Sequence, residues 1–430
     1  MATQEGFHFT DLVNQRESET SPVPASESEA QPEQAVNDAP WRQGWDLTED
    51  ERDVFRKRSV ASRQRKASAL RGEGPTPLHP VNEPRLDPAE LMPRLPANGL
   101  RVLSLFSGGG GLDYSFEAAG FKHVASYDIL DIAGATLQQN RPQWAIHAGV
   151  ERGDVCKQSW TRYRGEVDIL HGGPPCQPFS MAGRQLGSSD TRDMFPEFVR
   201  AVNECRPRAF VAENVAALGG SKFESYLAQT VYQPLTPHYH IERIELKAEW
   251  FGVPQFRTRL FFVGFLRRRD FEHFHRPGST HLYRRQSKTL IQATLGGNSR
   301  DENQLPTMGA REALGLPDTG VDDLAPTIRS GFTGPRRTTS VNSSVSALKA
   351  WGRLGIWPNG VAADRHSAHL FVPENRHFRL SVQDCAILQG FPANWHFVGA
   401  VYSILGQVGN SVAPPMGYHV ARAVARAILR

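Results

Sequence analysis

The residues most able to do chemistry lie in short polar turns that follow apolar runs. In HGGPPCQPFS, residues 171–180, Cys176 stands after Pro174 and Pro175 and before Gln177. A structural cysteine belongs among apolar neighbours. One held in a proline-restricted turn is displayed instead, and as a thiolate it is a nucleophile fixed before substrate arrives. Glu213 closes the run PRAFVAE and can act as acid or base if burial raises its pKa; taken alone it reads equally as a structural ion-pair partner. In QFRTRL, Arg257 and Arg259 alternate, so on a strand both project from one face, to clamp an anion or to form an edge-strand charge pair. The cluster SGGGG, Ser107 to Gly111, lets the backbone approach a nucleotide-like ligand at a helix start, although a glycine loop alone is a weak pattern. Asp128, ending HVASYD, can accept hydrogen bonds from ribose hydroxyls, and Asp154 in GDV is a further candidate. Each acid by itself is also explained as a solvated turn or a helix cap.

Elements that could hold these groups follow one another from Leu100. RVLSLF, HVASYD, VDILHGG and PRAFVAENV read as strands, and LDYSFEAAG and DIAGATLQQN as helices between them. This alternation predicts an α/β fold with a parallel, doubly wound, Rossmann-like sheet and a ligand at the carboxyl ends of its strands, over residues 98–265. Residues 266–376 have clustered arginines, many Gly, Pro, Ser and Thr and weak periodicity, which suits a smaller loop-rich domain. Helical pattern returns in SVQDCAILQGF and PMGYHVARAVARAILR, so residues 377–430 are expected to pack back on the first domain. Residues 1–97 form an extension. Its first 40 residues are too polar to offset their ordering entropy and are expected to be disordered. Residues 48–71 read as a basic helix with a Thr48/Glu51 capping box, either solvated or an electrostatic arm on a nucleic-acid backbone.

Size and composition narrow the classes. A chain of 430 residues with 39% hydrophobic and 22% charged residues is an ordinary soluble protein with room for one large and one smaller domain. No apolar run approaches the roughly 20 residues of a membrane span, and the N-terminus lacks a secretory signal, so a cytoplasmic location is expected. The 4 cysteines are scattered without a C-x-x-C pair, which points to reduced thiols and neither a zinc site nor a disulfide framework. The net charge of +4 permits a polyanionic partner without requiring one.

Taken in order, FSGGGGLD, GGPPCQPFS, ENV, QFRTR and GNSVAPP resemble the motif set of the DNA (cytosine-5) methyltransferases, over roughly residues 101–430. The resemblance implies a bacterial modification enzyme that transfers a methyl group from S-adenosylmethionine, without a metal, to C5 of cytosine in double-stranded DNA. Cys176 would be the nucleophile toward C6. Glu213 would contact N3 and the exocyclic amine, Arg259 would hold O2, and Arg257 would help position the catalytic loop. Around the cofactor it implies Phe106, Ser107, Gly109, Leu112 and Pro174, with Asp128 on the ribose, Asp154 near the adenine amine, and Asn410 and Ser411 returning from the C-terminus. Many relatives carry glutamate where this chain has Asp128; the ribose contact is expected to survive. Gln177, Ser180 and Arg192 would meet DNA, with Gly183 and Gly187 as pivots of a mobile loop and the target base flipped out of the duplex. Residues 266–376 would be the target-recognition region, with Arg267 to Arg269, Arg284, Arg285, Arg336 and Arg337 available for phosphates or guanine edges. The setting implied is a monomer paired functionally with a cognate restriction endonuclease. Two other readings stand beside it: a tRNA-methylating member of the same family, against which the absence of a C-F-T tripeptide counts, and a binding-only relative, against which the joint presence of Cys176, Glu213 and Arg259 counts. A dehydrogenase would need a fuller G-x-G-x-x-G and has no use for P-P-C-Q.

Overall fold

The structure, a computed structural model, describes residues 48–175, 193–283, 304–332 and 338–430, apart from Leu78 and Glu374. The first 47 residues, Cys176 to Arg192, and Arg284, Arg285, Arg336 and Arg337 therefore lie outside the described residues. The first described element is helix α1 (Glu49–Leu70). The chain forms two compact units, one holding Glu83–Thr327, Ala386–Val398 and Asn410–Arg430, the other holding the described residues up to Asn82 with Ile328–Cys385 and Gly399–Gly409.

The larger unit is built on a seven-stranded sheet of order β3-β2-β1-β4-β5-β7-β6. Its strands are β1 (Arg101–Leu105), β2 (Lys122–Asp128), β3 (Ile146–Ala148), β4 (Ile169–Gly172), β5 (Ala209–Val215), β6 (His240–Lys247) and β7 (Thr258–Phe265). Between them run α2 (Gly111–Ala118), α3 (Asp131–Asn140) and α4 (Phe195–Cys205). β1 to β5 pair in parallel, and the α/β doubly wound class expected from the alternation is the one found. The order reverses between β1 and β4, so a switch-point crevice opens at their carboxyl ends, after Leu105 and Gly172.

One strand departs from the expected parallel sheet. β7 enters between β5 and β6 and is antiparallel to both. The connection from Lys247 to Thr258 contains only a single 3-10 turn, Ala248–Phe251, and a parallel return needs a longer crossover. The antiparallel register sets Val215 opposite Arg259 and Glu213 opposite Phe261, which brings Glu213 and Arg259 to one face of the sheet.

Burial explains the rest. α4 hides Phe195, Phe198, Val199 and Val202, an i, i+3, i+4, i+7 stripe, against the sheet residues Phe210 and Phe262. Each such side chain contributes on the order of 1.5–3 kcal/mol when fully buried. The C-terminal helix, Pro414–Leu429, starts with prolines where the backbone has no N–H to satisfy, and its Pro414 carbonyl lies 2.7 Å from the Ser115 hydroxyl of α2.

In the smaller unit, α5 (Val345–Arg353), β8 (Ile356–Ala362), α6 (Arg365–Leu370) and β9 (Phe378–Ser381) follow in order, with β8 and β9 paired in parallel across α6. Asp384 organises this unit. Fully buried, its carboxylate accepts hydrogen bonds from Asn82 Nδ2 at 3.0 Å, Arg365 Nε at 2.9 Å, the Ser381 amide at 2.9 Å and the Ser381 hydroxyl at 2.6 Å. Among the described residues no helix is long and apolar enough to cross a membrane.

Candidate active site

β1 ends at Leu105, and the next residue, Phe106, adopts φ 55°, a left-handed conformation rare for a side chain of this size. The turn directs the following backbone across the crevice. Ser107 is buried, donates its amide to the Tyr127 carbonyl at 3.1 Å, and shares a 2.8 Å hydrogen bond with the Ser104 hydroxyl. The Gly108 amide donates to Asp128 Oδ2 at 2.7 Å and the Leu130 amide to Asp128 Oδ1 at 2.8 Å. The carboxylate at the end of β2 is thus fixed beside the glycine loop, with further lone pairs for hydroxyl donors. Although the side chain keeps some solvent contact, burial raises its pKa to about 6 against the opposing effect of the two amides.

Part of the glycine cluster serves protein packing. Gly110 has φ 83°, and a Cβ there would come within 2.6 Å of the Trp395 ring. The same indole donates Nε1–H to the Gly109 carbonyl at 3.0 Å. In sequence the pattern F-P-A-N-W carries no signal that the indole of Trp395 caps a loop nearly 300 residues away. Leu112 is buried on α2. Asp154 caps a short turn through the Cys156 amide at 3.0 Å.

A second group stands at the ends of β4 and β5. Glu213 is 6% exposed, and its Oε1 pairs with Arg259 Nε at 2.8 Å. Burial pushes the Glu213 carboxyl above its ordinary range, and attraction to Arg259 and Arg257 offsets part of that rise. Gly173 is needed here for space: a Cβ would lie 2.9 Å from Glu213 Oε2. Next to it, the Pro174 carbonyl accepts from Asn214 Nδ2 at 3.2 Å, so the start of the P-P-C-Q turn is tied to the glutamate's neighbour. Asn214 lay inside a noticed motif without a role, because a strand-end amide has no intrinsic partner in sequence.

Arg257 and Arg259 behave differently. Arg257 precedes β7, is buried, and donates Nη2–H to the Ser411 carbonyl at 2.7 Å. Gln389 Nε2 reaches the same carbonyl at 2.7 Å. Ser411 is therefore held within the larger unit, and Asn410 is exposed at the end of its helix. Cys176, Gln177, Ser180 and Arg192 fall outside the described residues. Among the described residues no cluster of three or more His, Cys, Asp or Glu side chains could hold a metal ion.

With this geometry in view, the model of the C-5 cytosine-specific DNA methylase family matches residues 100–426. The chain belongs to that family. Its members are DNA (cytosine-5) methyltransferases, and this chain is an enzyme of that class. Similar sequences include the type II methyltransferase M.NgoMIV of Neisseria gonorrhoeae, 32% identical with 76% of this chain and 97% of the relative covered. The type II methyltransferase M.Eco47II of Escherichia coli is 31% identical, with 76% and 79% covered. A solved structure of a prophage-encoded DNA modification methyltransferase from Escherichia coli aligns at a TM-score of 0.48 and 22% identity, covering 77% of this chain and all of that one. Both the crevice at β1 and β4 and the Glu213–Arg259 pair fall inside the family's span, and α1 falls outside it.

Proposed function

We propose that the chain is a type II modification methyltransferase that methylates C5 of a cytosine within a specific double-stranded DNA site through a covalent enzyme–base adduct. The observation that carries this reading is the buried Glu213–Arg259 pair at the carboxyl end of a switch-point sheet, packed against Gly173, which stands three residues before Cys176 of P-C-Q in the sequence.

Cys176, as a thiolate, adds to C6 of cytosine, and the ring electrons shift so that N3 takes up negative charge. Glu213, kept protonated more readily by burial, supplies a proton to N3 and leaves C5 an enamine carbon able to accept an electrophile. Arg259, held by Glu213, presents its guanidinium toward the base O2, and Arg257 braces the turn through Ser411. Once C5 is alkylated, a base removes its proton, and the electron pair left behind expels the Cys176 sulfur from C6 and restores the double bond. The N3 proton returns to Glu213. The base must leave the duplex stack for these contacts.

The residues lining the crevice fit S-adenosylmethionine: Asp128 holds lone pairs toward ribose hydroxyls, Ser107 and Gly109 offer close backbone approach, and Phe106, Leu112 and Pro174 supply apolar walls. Asp154, Asn410 and Ser411 are assigned to the same cofactor, and Gln177, Ser180 and Arg192 to DNA. When bound, S-adenosylmethionine supplies a methyl group made electrophilic by its sulfonium. A monomer in the cytoplasm, working beside a cognate endonuclease, completes the proposal; the type II names of the relatives support the restriction-modification setting.

Bisulfite sequencing of DNA from cells expressing the chain should reveal protected cytosines in one short sequence context. Cys176→Ala should abolish that protection, and duplex carrying 5-fluorocytosine in this context should form a denaturant-resistant adduct mapping to Cys176. Protection that survives the substitution would overturn the mechanism.

A further inference from the structure

We infer that α1 is a second, sequence-independent contact for duplex DNA, gripping the phosphate backbone through its exposed cations. The inference takes from the proposal above only the nature of the polyanion. Helix α1 runs for 22 residues and lies wholly outside the family's matched span. Residues 54–72 contain seven Lys and Arg and no Asp or Glu. A helix that is merely solvated mixes both signs along its exposed face, because like charges three and four residues apart destabilise it. The acids of α1, Glu49, Asp50, Glu51 and Asp53, sit in its first five residues, where Asp53 is shared by Arg56 at 3.8 Å and Lys57 at 2.9 Å, and past the helix Glu73 pairs with Arg71 at 2.8 Å.

The seating of the helix leaves the charge outward. Ser62 and Ala69 are buried, Lys66 lies between them in the heptad sense with its ammonium 5.7 Å from the Phe371 ring, and these residues define the inner stripe. Arg56 and Lys57 keep 64% and 79% of their side-chain surface in solvent, and Arg63 and Arg65 are exposed. Arg56 and Arg63, seven residues apart, share one ridge. Among the described side chains of this helix, Val54, Val60 and Leu70 stay exposed and little apolar surface is buried, so their packing alone does not account for a run of like charge. At about 1.5 Å per residue α1 extends about 33 Å, close to one turn of B-form DNA, so cations spread along it can meet several phosphates at once.

Binding of the full-length protein to a duplex of about 30 base pairs lacking the methylated context, followed by fluorescence anisotropy across a salt series, tests the inference. The combined variant Arg56→Gln, Lys57→Gln, Arg63→Gln and Arg65→Gln preserves helix propensity and leaves Lys66 on Phe371. It should bind at least tenfold more weakly at about 50 mM salt, with a log–log salt slope shallower by about 2–4, as each lost phosphate contact removes about 0.9. Thermal midpoint and S-adenosylmethionine affinity should stay at wild-type values. An unchanged slope, or tighter wild-type binding to duplex RNA of the same sequence, would overturn the inference. A chain that methylates nothing yet shows the helix-dependent slope would refute the proposed function alone; a methylating chain with an unaltered slope would refute this inference alone.

Discussion

Both carboxylate oxygens of Asp128 accept a backbone N–H, while burial pushes the group up to about 6 and the nearby charge of Asp113 adds to the rise. An ordinary aspartate in the unfolded chain titrates near 3.9. Between those values the folded chain holds a proton that the unfolded chain has released, so this group makes the fold less stable as pH rises through the window. Ribose hydroxyls, as donors, favour the carboxylate, so cofactor affinity should move the other way and strengthen as pH rises through about 6. Calorimetric titration of S-adenosylmethionine from pH 5 to 8 should show affinity weakening below about 6 by at most tenfold per pH unit, and Asp128→Asn should flatten the curve. A wild-type profile that is already flat would remove Asp128 from the cofactor site.

Contiguous motifs were readable because each carries its own setting: a strand, a turn and a polar residue together imply a crevice. Contacts made across the chain were not. Arg257 looked like a strand partner of Arg259, yet its guanidinium serves a carbonyl 154 residues further on, and only the folded backbone shows that. The direction of β7 was hidden for a related reason, since periodicity reports burial and not strand sense; the short connection Ala248–Arg257 was the available clue. In sequence the glycine loop reads as ligand space, whereas in the fold Gly110 also answers to Trp395. Gly110→Ala places a side chain at φ 83° and a methyl group against the indole, two penalties that together should cost about 2–4 kcal/mol. Urea denaturation should register this as a lower midpoint at constant slope. A loss under about 0.5 kcal/mol would mean that the loop and Trp395 yield easily, and that the close approach is not what glycine provides there.

Two units made from interleaved segments raise the question of which one carries each property. The crevice residues Ser107, Asp128, Glu213, Arg259 and Ser411 all belong to the larger unit, whereas α1 and the Asp384 cluster belong to the smaller one. Asp384 is a fully buried charge whose ion pair with Arg365 is completed by three further donors. Removing one partner of such a pair strands the other, which typically costs about 3–5 kcal/mol. Asp384→Ala should therefore unfold the smaller unit at a markedly lower temperature and detach the N-terminal segment at Asn82, while the larger unit keeps its sheet. Differential scanning calorimetry should then show two transitions, of which only the upper one rises when S-adenosylmethionine is added. Binding to non-target duplex should weaken together with the lower transition, because the cations of α1 lose the body on which Ser62 and Ala69 are seated. A single transition that shifts as a whole in this variant would show instead that the two units melt as one cooperative body, and cofactor binding could no longer be ascribed to the larger unit alone.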